Sequence, residues 1–164
     1  MTVLDRSAAT LSVVNQATIG DLARTPLPTN LVAGDQLYFD LFGQFFNNSG
    51  SACNLVMTFG IGATTVANAA ISQAASGQMR SWRCQIRIAV ESPTAQRVWG
   101  EFSIGAGTAA GVWSGPAVIG NLLGKTVEMA EDLTAGKDVF LRCTLGAADA
   151  NLRMDRLTYL LWKL

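Results

Sequence analysis

Residues 79–91, with the sequence MRSWRCQIRIAVE, decide the fold of this chain. Apolar and polar residues alternate through the stretch, so that Trp82, Ile86 and Val90 share one side while Arg87 lies on the other. A repeat of two is typical of a half-buried β-strand, because successive side chains of a strand point to opposite faces of the sheet. The stretch therefore predicts a long strand with one face in a core.

Residues 97–104 repeat this alternation, and a proline-containing turn separates the two stretches. Folding one onto the other places Glu91 opposite Arg97 and Arg87 opposite Glu101, with all apolar residues on the inner face. A slip of one residue would set apolar against polar side chains throughout. We therefore predict an antiparallel hairpin in this register.

Residues 37–46 and 53–61 also alternate, and the segment Asn47-Asn48-Ser49-Gly50-Ser51 between them is rich in turn-forming residues. The same reasoning predicts a second hairpin, folded about Ser49. The other face of its first strand carries Tyr38, Phe42 and Phe46, which is too apolar for free solvent and indicates a covering loop or a partner subunit.

The rest of the chain continues the β pattern. We expect a short strand or a helix within residues 64–75, and strands at residues 126–130, 139–145 and 153–164. The glycine-rich connection from Gly105 to Gly124, which contains Trp113, has the length of a functional or interface loop. About eight antiparallel strands predict an all-β fold, a jelly-roll-like β-sandwich.

Residues 1–30 differ from the rest and contain Pro26 and Pro28 among many small polar residues. We predict two parts, an extended N-terminal arm over residues 1–30 and a sandwich domain over residues 31–164. The arm is expected to act as a tether outside the core, with its apolar side chains against a neighbouring chain. Candidate interface residues in the arm and on the outer strand faces are Leu11, Val13, Val14, Ile19, Leu22, Phe42, Phe46, Trp99, Trp113 and Phe140.

The composition is apolar. Aliphatic, aromatic and Cys residues make up 49% of the 164 residues and charged residues 15%, which favours surface hidden in an oligomer, a large core being the alternative. The formal net charge is zero, so the overall field gives no reason to expect nucleic acid or an anionic membrane as a partner. We expect no signal peptide and no membrane span.

Catalytic chemistry is not indicated. The chain has no His, which removes the commonest general base and most metal sites. Three Cys without a CxxC spacing predict buried, reduced thiols. We expect no enzyme activity, no cofactor and no metal site. Trp99, Trp113 and Trp162 are candidates for stacking on sugars if exposed, although such Trp residues more often belong to a core or an interface.

Three motifs resemble a group of small trimeric jelly-roll proteins of phage virions. They are the strand entry at residues 32–37 (VAGDQL), the turn at residues 47–52 (NNSGSA) and residues 77–83 (GQMRSWR), which open the long strand. The resemblance covers residues 31–164 and carries no catalytic residues. It implies a homotrimeric structural protein, made in the cytoplasm of a host bacterium and located in the virion.

Two roles in that group compete. The chain starts at Met1, is short and has the predicted arm, which favours a capsid decoration (cement) protein that binds the major capsid protein on the capsid surface and stabilises the head. The alternative is the tip of a fibre, a receptor-binding domain that recognises carbohydrate. Exposed aromatic and polar groups in one pocket would favour the sugar binder.

Overall fold

The computed structural model describes residues 1–15, 17–105 and 127–164. Within these ranges eleven strands and one 3₁₀ turn form two antiparallel sheets. The strands are β1 (Thr2–Ser7), β2 (Leu11–Val14), β3 (Gly20–Pro26), β4 (Gln36–Asn47), β5 (Cys53–Ile61), β6 (Thr64–Gln73), β7 (Ser76–Ser92), β8 (Ala95–Ile104), β9 (Val127–Met129), β10 (Asp138–Thr144) and β11 (Leu152–Lys163). The 3₁₀ turn is Leu133–Ala135. Within the described ranges the structure contains no helix that could span a membrane.

The two sheets make a β-sandwich, as the alternating stretches predict. The large sheet has the order β1-β11-β4-β7-β8-β9, with β2 also paired to β11, and the small sheet has the order β3-β10-β5-β6. The core lies between them and includes Phe39, Trp82 and Phe102 from the large sheet and Leu22 and Phe59 from the small sheet. Since all five have 1% of their surface exposed or less, the inner faces predicted from the alternation are confirmed.

The central hairpin of β7 and β8 is confirmed, but its predicted register is wrong by two residues. Arg87 lies opposite Trp99, and Ala89, in place of Glu91, lies opposite Arg97. The pairing shifts because the turn is tighter than predicted and an irregularity lies between Val90 and Ser92. A shift of two keeps every side chain on its predicted face. The Glu91 and Arg97 side chains still form an ion pair of 2.7 Å.

The second predicted hairpin is wrong, since β4 pairs with β11 and β7 in the large sheet while β5 pairs with β10 and β6 in the small sheet. The chain crosses between the sheets at the buried side chain of Asn47. Its Nδ2 donates to the backbone oxygens of Ser51, at 3.0 Å, and of Gln73, at 3.2 Å. The turn-forming residues 47–51 therefore connect the two sheets at a corner of the sandwich and do not join two neighbouring strands of one sheet.

The N-terminal segment is not a tether outside the core, and this prediction is wrong. β1 and β2 pair with β11, and β3 pairs with β10. Leu22 is fully buried and Val13 nearly so. The prolines do not interrupt a ladder, because Pro26 is the last residue of β3 and Pro28 follows it. Residues 1–30 thus belong to the same sandwich as residues 31–164.

Other expectations for strands hold. Residues 64–73 form a strand, and the predicted strands near residues 126–130, 139–145 and 153–164 are present as β9, β10 and β11. The long connection from Gly105 to Gly124, including Trp113, lies outside the described residues apart from Gly105 itself. Cys53, Cys84 and Cys143 are free and buried, as predicted.

Candidate functional site

Four side chains form a straight row across the outer face of the large sheet, and we call them the cross-strand row. Trp162 of β11 lies opposite Tyr38 of β4, Tyr38 lies opposite Arg87 of β7, and Arg87 lies opposite Trp99 of β8. Directly opposed residues on neighbouring strands bring their side chains into contact. The sheet order therefore gathers residues from four strands, far apart in the sequence, into one line.

The members of the row contact one another through their flat surfaces. The rings of Tyr38 and Trp162 are stacked, with centroids 4.0 Å apart and an interplanar angle of 7°. The guanidinium carbon of Arg87 lies 5.4 Å from the centroid of Tyr38 and 5.3 Å from that of Trp99. Cations are attracted to aromatic faces at such distances. The row is therefore a continuous stack with a positive charge between two aromatic groups.

Polar side chains border the row on both sides. The Asp40 carboxylate accepts hydrogen bonds from Gln85 Nε2 at 2.9 Å and from Trp162 Nε1 at 3.4 Å. On the opposite side, the Tyr38 hydroxyl donates to Gln36 Oε1 at 2.9 Å. These contacts hold the aromatic rings in place and set hydrogen-bonding groups beside them.

The row opens into a shallow pocket of about 280 Å³. Its lining residues are Gln36, Tyr38, Arg87, Ile88, Ala89, Arg97 and Trp99. Arg97 is neutralised by Glu91, at 2.7 Å, and approaches Glu128 at 4.0 Å. The Arg87 side chain has no hydrogen bond or ion pair with any of the described residues. The pocket therefore offers aromatic surface, an amide and one arginine without a counter-charge.

This arrangement has the features of a binding pocket. Ligand pockets combine apolar and aromatic walls with a few polar groups that fix orientation. Among the described residues, no group of three or more His, Cys, Asp or Glu side chains is placed to hold a metal ion. Burial raises the pKa of the Cys143 thiol to about 12, and burial together with the nearby charge of Asp40 raises the pKa of Cys84. Neither thiol is therefore a ready nucleophile.

A second row crosses the same face at its other end, and we call it the apolar row. Val14 of β2 lies opposite Arg153 of β11, Arg153 opposite Phe46 of β4, and Phe46 opposite Met79 of β7. Val14 has 39% of its surface exposed and Met79 has 42%. Phe42, which is 37% exposed, lies on the same face of β4 between the two rows. Three predicted interface residues, Val14, Phe42 and Phe46, thus share one surface.

The other predicted interface residues are dispersed. Val13 and Leu22 lie in the core of this chain and are not available to a partner. Leu11 and Ile19 are exposed, but Ile19 belongs to the segment before β3 and not to either row. Trp99 is half-buried in the cross-strand row. Trp113 lies outside the described residues.

Phe140 does lie on the outer face of its sheet, yet it is only 2% exposed. The guanidinium groups of Arg142 and Arg24 lie over its ring, at 4.1 Å and 5.3 Å from the centroid. Gly60 on the neighbouring strand leaves room for the ring, since a Cβ built there would lie 2.2 Å from Phe140 Cζ. Phe140 is therefore covered by its own chain, and its predicted role in an interface is not supported.

The site contains one residue whose role the sequence does not indicate. Arg87 is predicted to pair with Glu101, but the true register sets it between Tyr38 and Trp99. The predicted face of β4 includes Tyr38, and Trp162 is a candidate for sugar stacking, but nothing in the spacing places them side by side. The alternation gives the face of each residue, while the row depends on the order of strands in the sheet.

The N-terminal strand is attached beside the core by a polar cluster. Asp5 accepts hydrogen bonds from the Tyr159 hydroxyl, at 2.6 Å, and from the Thr25 hydroxyl. Burial alone would raise the pKa of Asp5, but the hydrogen bonds from Thr25, Tyr159 and the Arg6 backbone, with the charge of Arg156, lower it. The ionised form of Asp5 therefore holds β1 to the sandwich.

Comparison with known proteins gives no family for this chain. No family model matches it, and no curated protein matches it. Among solved structures it is similar to the CBM2 module of the evolved Dit of Lactobacillus casei BL23 phage J-1, with a TM-score of 0.40 and 8% identity over 85% of this chain and 67% of that one.

Two further solved structures are similar to a lower degree. The metal-free form of lectin I-B4 from Griffonia simplicifolia has a TM-score of 0.34 and 7% identity, over 90% of this chain and 78% of the lectin. A glycosyl hydrolase family protein from Mycobacterium fortuitum has a TM-score of 0.26 and 13% identity, over 80% of this chain and 64% of that one. Likenesses this distant carry no argument about function.

Proposed function

We propose that this protein is a carbohydrate-binding β-sandwich whose ligand lies across the cross-strand row. The observation that carries the proposal is the gathering of Trp162, Tyr38, Arg87 and Trp99 into one line, bordered by polar side chains and opening into a pocket. Exposed aromatic and polar groups in one pocket are the feature that distinguishes a sugar-binding role from a decoration role.

The groups in and beside the row complement those of a sugar. A pyranose ring has an apolar surface of C–H groups and a rim of hydroxyls, so it needs apolar contact and hydrogen bonds within one small site. Tyr and Trp present an apolar body together with a polar tip. The amides of Gln36 and Gln85 and the carboxylate of Asp40 supply donors and acceptors beside the rings. The pocket of about 280 Å³ is shallow, so the sugar lies across the row at the surface of the sheet.

The setting we propose is the virion of a tailed phage, at the receptor-binding tip of a fibre. This setting rests on the resemblance of residues 32–37, 47–52 and 77–83 to phage jelly-roll proteins. The competing decoration role depends on a free arm over residues 1–30. Because those residues form β1 to β3 of the sandwich, that argument for decoration is lost.

Saccharide binding to the intact protein tests the proposal. A glycan array followed by isothermal titration calorimetry should find a saccharide that binds, and Tyr38→Ala and Trp162→Ala should each weaken binding at least tenfold. Phe42→Ala is the matched control, since Phe42 is exposed on the same strand and face but outside the row. Circular dichroism of each variant shows that the fold is kept. Full binding by Tyr38→Ala and Trp162→Ala would rule out the row as the site.

A homotrimeric decoration protein that binds the major capsid protein is the second candidate. The apolar row favours it, because Val14, Phe46 and Met79 leave apolar surface on an outer sheet face, with Phe42 beside them. In this case light scattering at micromolar concentration should give a trimer mass, and Phe42→Lys with Met79→Lys should give monomers. A wild-type monomer that does not sediment with capsids would exclude this role.

A further inference from the structure

Arg87 is the charged residue of the pocket that has no partner of opposite charge within the part of the chain that the structure describes. Its guanidinium carbon lies 5.4 Å from the Tyr38 ring centroid and 5.3 Å from that of Trp99. Because both rings contact it, the long side chain is already restricted before any ligand arrives. A preorganised arginine loses less conformational freedom on binding than a free surface arginine. It is therefore well placed to act as a fixed positive group.

The other charged side chains near the pocket either form an ion pair or do not line the pocket. Arg97 pairs with Glu91 at 2.7 Å and approaches Glu128 at 4.0 Å. Asp40 accepts hydrogen bonds from the neutral side chains of Gln85 and Trp162, and it does not line the pocket. Glu101 lies opposite Gln85 in the neighbouring row and makes no ion pair with Arg87. Among the described residues that line the pocket, Arg87 is thus the charged side chain without an ion pair.

We infer, building on the carbohydrate-binding function proposed above, that the ligand is an acidic saccharide whose carboxylate binds the Arg87 guanidinium. A planar guanidinium can donate two parallel hydrogen bonds to one carboxylate, and such charge-assisted pairs are about twice as strong as neutral hydrogen bonds. The sugar ring then lies against Tyr38 and Trp99, and Gln36 is close enough to the pocket to bond its hydroxyls. Uronic and sialic acids are the sugar classes that carry such a carboxylate.

Matched pairs of saccharides that differ in charge test this inference. The probes are trigalacturonate against its methyl ester, and sialyllactose against lactose, each titrated into the wild-type protein by calorimetry. We expect at least one acidic probe to bind tenfold or more tightly than its neutral partner. Its affinity should fall as NaCl is raised, because salt screens the charge interaction.

Substitutions of two arginines on the same strand test whether Arg87 causes the preference for the acidic probe. Arg87→Gln should remove the preference for the acidic probe, and Arg87→Lys should keep only part of it, since a lysine is a point charge without the planar fork. Arg83→Gln is the control, because Arg83 is exposed on the same face of β7 but lies opposite Phe42, outside the row. Arg83→Gln should bind like the wild type.

Other results would contradict either the acidic ligand alone or carbohydrate binding as well. Equal binding of acidic and neutral probes, lost in Tyr38→Ala, would overturn the acidic ligand but leave carbohydrate binding in place. An equal loss in Arg83→Gln and Arg87→Gln would reduce the effect to overall charge and overturn the inference. If no saccharide binds, or if the row instead joins two copies of the chain in a dimer that Tyr38→Ala dissociates, both proposals fail.

Discussion

The rings of Tyr38 and Trp162 lie parallel, with centroids 4.0 Å apart and an interplanar angle of 7°. Tyr38 is near the start of β4 and Trp162 is near the end of β11, the last strand of the chain. Their contact forms because β11 enters the large sheet beside β4. Aromatic pairs of this kind contribute about 0.5–1.5 kcal/mol beyond the area that they bury. The proposed binding site is thus completed when the last strand, β11, pairs with β4.

Gly43 should tolerate no side chain. A Cβ at this position would lie 1.9 Å from the backbone oxygen of Asp155 and 2.4 Å from the Trp82 ring, which fills the space over the glycine. The ring is fixed there, since Trp82 Nε1 donates to the backbone oxygens of Asp155 and Gln44. We expect Gly43→Ala to lower the free energy of unfolding by about 3 kcal/mol or more, measured by urea denaturation.

Gly77→Ala is the control for this substitution. A Cβ at Gly77 would meet only Asn48 Oδ1, at 3.6 Å, which is an ordinary contact. The control should stay within about 0.5 kcal/mol of the wild type. Equal stability of Gly43→Ala and the wild type would show that Trp82 does not pack across β4 as described.

Leu22 tests whether the N-terminal segment belongs to the core. Its side chain is fully buried, so Leu22→Ala should destabilise the protein by about 2–5 kcal/mol. Ile19→Ala, three positions earlier and 52% exposed, should cost less than about 0.5 kcal/mol. Thermal or urea unfolding of both variants decides the point. A small and equal effect for both would restore the view that residues 1–30 are a tether.

Acid should release the first strand before the rest of the protein unfolds. The pKa of Asp5 is lowered from its ordinary value of 3.8, because the hydrogen bonds and the nearby charge outweigh burial. The ionised carboxylate therefore stabilises the fold above pH 3.8, and this contribution is lost as the pH falls through the lowered pKa. The protection of the β1 amides against hydrogen exchange, relative to the intrinsic rate at each pH, should fall in that range.

Asp5→Asn should show the same fast exchange of β1 at neutral pH, since it removes the charge that Tyr159 and Thr25 bind. Glu128→Gln is the control, because the Glu128 side chain is 82% exposed and makes only a long contact of 4.0 Å with Arg97. Protection of the β1 amides that stays constant as the pH falls, or that Glu128→Gln lowers equally, would contradict this role of Asp5.

The three thiols should react only after unfolding. Cys84 and Cys143 have no exposed surface, and burial raises the pKa of each of the three thiols, with the value for Cys143 at about 12. A thiol reagent at pH 8 should therefore label none of them quickly in the native protein and all three in denaturant. Rapid native labelling of Cys84 would contradict the packing of the core.

The sequence predicts the faces of the strands well and their neighbours less well. A period of two assigns Ile86 and Phe102 to the core, and both are buried. The same period cannot separate two registers that differ by two residues, so Arg87 is assigned to Glu101 and is found opposite Trp99. Alternation also cannot show whether successive strands share a sheet. The corner at Asn47 depends on a contact with Gln73 that lies far along the chain.

The N-terminal segment shows a second limit of prediction from sequence, which concerns contacts between distant parts of the chain. Residues 1–30 are polar and contain two prolines, which is typical of an extended arm. What attaches them is the pairing of β1 to β3 with β11 and β10, core side chains such as Val13 and Leu22, and the contacts of Asp5 with Tyr159. Such contacts between distant positions leave no periodic signal. The cross-strand row could not be predicted from the sequence for the same reason, since its members come from four strands.

The most direct test of the central claim is to map saccharide binding onto the backbone by NMR. A ¹H–¹⁵N spectrum of the wild-type protein is titrated with the tightest-binding saccharide from the array. The account predicts that the largest shifts cluster at residues 36–40, 85–89, 97–101 and 160–163, which carry the cross-strand row and its polar borders. Shifts confined to the small sheet or to the apolar row, with none at Tyr38, Arg87, Trp99 or Trp162, would contradict it.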